Sequence, residues 1–132
     1  MLKIAAVAVA IFVARFVSLL PFLDENGRLA IVAPEGHLPA NAEYFFSVLL
    51  LVLPLAALAG CWVLFAGVSR EQALAHGVKI AVVFLAVFAA IDLMLDFAVA
   101  HRGLALWFRN VALDYSPLLV IPIGIGAILK RT

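Results

Sequence analysis

Cysteine occurs once, at Cys61, so the chain has neither an intrachain disulfide nor a metal site built on two cysteines. Charge is scarce as well: 13% of residues are charged, against about 25% in ordinary soluble domains. No basic stripe or aromatic-interleaved patch exists to hold nucleic acid, and the formal net charge is only +1. No His-Glu-x-x-His run, Walker-type loop, Gly-x-Ser-x-Gly elbow or paired-cysteine motif occurs. Gly124-Ile125-Gly126 lacks the third glycine and the preceding strand of a dinucleotide fingerprint. His37, His76 and His101 show no metal-ligand spacing and read as solvated or interfacial. These absences lean against an enzyme and imply no cofactor.

What the chain has instead is apolar length, with 67% of residues hydrophobic. Four stretches run over about 2–22, 45–67, 78–100 and 107–129. Each is long enough to cross a hydrocarbon core, which takes about 20 helical residues. A soluble domain of this length cannot hide so much apolar surface, because small chains bury a small fraction of theirs. The expected fold is therefore all-α: one integral-membrane four-helix bundle over residues 1–132, with residues 23–42 as an extramembrane connection.

Lys3 and the run Ile4–Ala14 imitate a signal peptide, but a second apolar run, Phe16–Phe22, follows Arg15. The nearest small-residue cleavage site lies downstream, around Ala33, so a retained first span is expected. Basic residues near the span ends divide five to three: Lys3, Arg70, Lys79, Lys130 and Arg131 against Arg28, Arg102 and Arg109. By the positive-inside bias both termini are cytoplasmic. The localisation this implies is multi-pass in a plasma membrane, with a bacterial inner membrane as the source suggested by the short connections.

Local signals refine the spans. Pro21 and Asp24-Glu25-Asn26-Gly27 end the first helix, and Asn41 is a candidate N-cap for the second. Pro54 sits mid-span, where neighbouring helices can satisfy the carbonyl it frees. Gly67 is a natural terminator, Ser69 and Gln72 have capping-box spacing, and the third helix is expected to begin near Arg70. The fourth segment reads two ways. It is a span from Trp107, or a later helix with Ser116 as cap and Pro117 at its first position. Pro122, Gly124 and Gly126 mark it as the most deformable span.

Two constellations stand out. Ala6, Ala10, Ala14 and Ser18 recur every four residues and form a small-residue stripe, suited to packing against another span or another copy. Charges within the apolar stretches form the second. Arg15 lies twelve residues beyond Lys3 and Asp92 thirteen beyond Lys79, so parallel first and third helices carry them at about the same level, roughly 18–20 Å up. Asp96 is one turn further along the face of Asp92. In a continuous antiparallel fourth span, Asp114 reaches a similar level, near Glu43 and Tyr115. An unpaired charge facing lipid is costly, so Arg15 is expected to meet Asp92 or Asp96, with Asp114 nearby. The cluster serves as a structural ion pair or as a proton or cation site; snorkelling to water, or for Asp114 a place in an interfacial turn, is the plainer alternative.

In size and span number the chain is similar to small multidrug transporters and fluoride channels. Those transporters carry an essential glutamate in the first span, where this chain has Arg15, and the glycine-rich and asparagine-bearing channel signatures are missing. No family follows from the resemblance. The expected role is a small accessory or helix-packing protein. Its partners are the lipid bilayer and another copy of the chain or a larger membrane complex, and nucleic acid is not among them. A small proton- or cation-linked transporter or channel using Asp92 and Asp96, as a dimer, is the alternative, and a membrane enzyme acting on lipid the third reading.

Overall fold

The computed structural model describes residues 1–22, 42–95 and 115–132, apart from the side chains of residues 42, 43, 46 and 49. Among them are four α-helices and no strand: α1 (Leu2–Leu19), α2 (Ala42–Phe65), α3 (Arg70–Leu95) and α4 (Ser116–Arg131). α1 runs into a 3-10 turn, Leu20–Phe22, where Pro21 sits. Two of these elements, Leu2–Phe22 and Arg70–Leu95, are long and apolar enough to cross a membrane.

Connections and caps fix the order. α2 ends at Phe65, and Gly67 makes the turn with φ of 80°, a left-handed conformation that glycine adopts without a Cβ penalty. The N–H of Gln72 then donates to the carbonyl of Ser69 as α3 begins. Two side chains from other helices serve the exposed carbonyls at the end of α2. Lys3 Nζ donates to the Val63 carbonyl at 3.3 Å, and His76 Nε2 lies 3.1 Å from that of Leu64. A carbonyl only accepts, so His76 carries its proton on Nε2. His76 also stacks edge-on against Phe65, at 5.5 Å between centroids. It is thus a half-buried helix cap at the end of the bundle. At the same end, the Arg70 guanidinium reaches the Thr132 carbonyl. The start of α1, the turn between α2 and α3, and the end of α4 therefore share one end of the bundle. Away from it, Phe22 and Phe45 meet edge-to-face at 5.4 Å and tie the end of α1 to the start of α2.

The core follows three- and four-residue spacing along each helix: Ile4, Ala8 and Ile11 on α1; Leu53, Ala57, Cys61 and Leu64 on α2; Ala73, Gly77, Ile80, Phe84 and Phe88 on α3. On α4 the buried positions are Leu118, Pro122 and Gly126, one turn apart. The outer surface is apolar too, with Leu55 60%, Val82 59% and Val120 67% exposed. No polar or charged residue is fully buried among the described residues.

α4 begins at Ser116, the later of its two sequence-derived starts, with Pro117 in its first turn. Tyr115, not Ser116, occupies the cap position, and the N–H of Leu118 donates to its carbonyl. Residues 23–41 and 96–114 lie outside the described part, so Asn41 as a cap and the earlier start at Trp107 do too.

Glycine sets the spacing between α3 and α4. A Cβ on Gly77 would collide with the Pro122 carbonyl oxygen, and one on Gly126 would sit 2.6 Å from that of Ala73. Both obstacles are backbone and cannot swing aside. Gly126 is therefore a contact point within the helix Ser116–Arg131, whereas Gly124 has nothing nearby. Gly77→Val and Gly126→Val are expected to destabilise the fold by about 1–3 kcal/mol each through overpacking. Gly124→Ala should be neutral or stabilising by up to about 1 kcal/mol, because alanine is the better helix former. Thermal unfolding in detergent measures all three; equal effects at the three glycines would contradict the close crossing.

Candidate functional site

Arg15 on α1 and Asp92 on α3 come together. They line one cavity of about 140 Å³ with Phe12, Phe16, Leu19 and Leu95. At roughly 30 Å³ per molecule, that space admits a few waters. The helices reach it in register. Phe12, three residues before Arg15, meets Phe88, four residues before Asp92, edge-to-face at 5.2 Å and 71°. Phe88 in turn meets Tyr115 at 5.6 Å and 81°. Tyr115 stands at the start of the antiparallel α4, and the Arg15 guanidinium carbon is 5.9 Å from its ring centroid, within cation–π range.

Electrostatically the two residues stand apart. Among the described charged side chains, Arg15 and Asp92 alone are half-buried; Lys3, Arg70, Glu71, Lys79, Lys130 and Arg131 are exposed. Ser18 Oγ donates to the Arg15 carbonyl at 2.6 Å, so its hydroxyl is satisfied within its own helix. A planar guanidinium and a carboxylate across a small, mostly apolar cavity suit mutual neutralisation with bidentate hydrogen bonding. Asp96 and Asp114 lie outside the described residues.

Counting from the lysines gives Arg15 and Asp92 a common level as an expectation, with Tyr115 further out beside Glu43 and Asp114. Sequence reasoning misses the Phe12–Phe88 contact, although the one-turn offset of these rings from the two charges is a usable signal. The small-residue stripe is placed differently from a seam within the bundle. Ala6, Ala10 and Ala14 are exposed and Ser18 is half-buried, while the inward face of α1 is Ile4, Ala8 and Ile11. Cys61 is buried and free, and among the described residues no three His, Cys, Asp or Glu side chains gather as metal ligands. Compared with known proteins, the chain matches no family model, no curated protein and no solved structure.

The shared cavity predicts energetic coupling. Arg15→Met and Asp92→Asn are each expected to cost about 1–3 kcal/mol, with the double variant less destabilised than the sum by about 0.5–3 kcal/mol. Arg131→Met, on an exposed side chain, should stay within about 0.5 kcal/mol of the parent. Reversible unfolding in mixed micelles reads the cycle, and strict additivity would show that the two residues do not interact.

Proposed function

We propose that this protein is a multi-pass integral membrane protein in which all four helices form a bundle across the bilayer. Its role is that of a small accessory or helix-packing subunit. The basic end of the bundle, with Lys3, Arg70, Lys130 and Arg131, faces the cytoplasm, and the membrane is a plasma membrane, bacterial on the grounds of compactness. Support for immersion comes from the pairing of an apolar exterior with half-buried Arg15 and Asp92. Lipid favours that distribution and water does not.

The observation carrying the packing role is the outward placement of Ala6, Ala10 and Ala14. Small side chains four residues apart let a second helix approach its backbone closely, and in lipid that contact, with no hydrophobic drive, is how helices associate. Among the described residues Ala6, Ala10 and Ala14 are exposed, which leaves this face open to another copy or to a larger membrane complex. The alternative, a proton- or cation-linked transporter or channel using Asp92 and Asp96, is less well supported at the one of these two residues that is described, Asp92. Arg15 at the same cavity supplies a fixed positive charge, which opposes occupation by a second cation.

Cysteines placed singly at Ala6, Ala10 and Ala14 in a Cys61→Ala background test the role in native membranes. Disulfide or bifunctional crosslinking is expected at these positions and not at Leu55 or Val82, which are exposed on α2 and α3. Crosslinks confined to Leu55 and Val82 would reject the α1 seam.

A further inference from the structure

A groove of about 830 Å³ runs between α2 and α4, with a wall almost wholly apolar. Leu58, Trp62 and Phe65 form one side, and Ile125 and Leu129 the other. It reaches Phe65 and Leu129, so it opens at the end of the bundle where α2 and α4 finish. That end is basic. Lys130 and Arg131 occupy the last turn of α4, Arg70 lies against Thr132, and Lys3 lies against Val63, with Glu71 the one acidic side chain described there. Trp62 stands 84% exposed within one turn of the end of α2, at the depth where an indole ring bridges hydrocarbon and headgroups.

We propose that this groove is a binding site for an anionic phospholipid, with an acyl chain between α2 and α4 and the headgroup phosphate held by Lys130 and Arg131. The inference rests on the membrane reading above and adds to it a ligand of defined charge. The apolar groove and these basic residues share one end of the bundle, which matches the two ends of an anionic lipid. A zwitterionic lipid fills the groove equally well but gains nothing from the basic end. A second protein helix would bring no phosphate for those cations.

Trp62 is itself the reporter. In a Trp107→Phe chain reconstituted in phosphatidylcholine vesicles, Trp62 fluorescence is quenched by lipids brominated along the acyl chain. Brominated phosphatidylglycerol is expected to quench more than brominated phosphatidylcholine at equal mole fraction. The preference should correspond to about fivefold local enrichment for each basic side chain that engages the phosphate. Lys130→Gln with Arg131→Gln should abolish the preference while leaving quenching itself intact. A control separates a site from diffuse surface attraction: Ala75→Trp, in a chain also carrying Trp62→Phe and Trp107→Phe, reports from exposed α3 outside the groove and should show no preference. Equal quenching of Trp62 by both lipids, or equal preference at both reporters, would overturn the site and leave the membrane reading standing. No quenching by either lipid would overturn both.

Discussion

Arg15 and Asp92 turn inward at one level of the bundle, and the arrangement of α1, α3 and α4 follows from that shared position. α1 and α3 run parallel, and the cavity that Arg15 and Asp92 both line fixes the register between them. The Phe12–Phe88 contact one turn away keeps the same register. Tyr115 closes the group from α4, with the guanidinium over its ring and Phe88 packed edge-to-face with it. A one-turn slip of α1 along α3 would move Arg15 by about 5.4 Å, away from Asp92, and would break the Phe12–Phe88 contact.

Around this cluster the helices approach by removing side chains. Gly77 and Gly126 bring α3 and α4 to backbone contact, and Gly60 receives Val7 and Ile11 of α1. Where apolar residues cover both the inside and the outside of a bundle, burial of apolar surface alone cannot choose a helix's rotation. Close fit and polar partnering choose it. The caps at the end of α2 belong to the same logic. Lys3 and His76 satisfy carbonyls that the helix itself leaves open, and they couple α1 and α3 to α2 at the basic end.

Much of this was legible in the sequence, because its strongest signals are local. Gly67 marked the turn, Arg70 the start of α3, and Ser116-Pro117 the late start of α4. The level of Arg15 and Asp92 followed from counting residues at helical rise. The inward face of α1 did not follow. Alanines lie on both of its sides, so no polar–apolar contrast separates Ala8, which is buried, from Ala6 and Ala10, which are exposed. The close contact at Gly126 did not follow either, because a glycine that permits close approach and one that permits bending look alike until its neighbour is known. His76 depended on the position of another helix's end, which local sequence does not contain. Asp96 and Asp114 remain expectations of the sequence alone.

The account turns on lipid contacting the outward apolar surface while Arg15 and Asp92 face inward. Nitroxide labels at Leu55, Val82 and Val120 in a Cys61→Ala background, with a further label at Arg131, measure this directly in reconstituted vesicles. The first three are predicted to collide often with dissolved oxygen and rarely with a water-soluble nickel chelate, and the label at Arg131 should do the reverse. Nickel collisions at Leu55, Val82 and Val120 as frequent as those at Arg131 would place that surface in water and contradict the account.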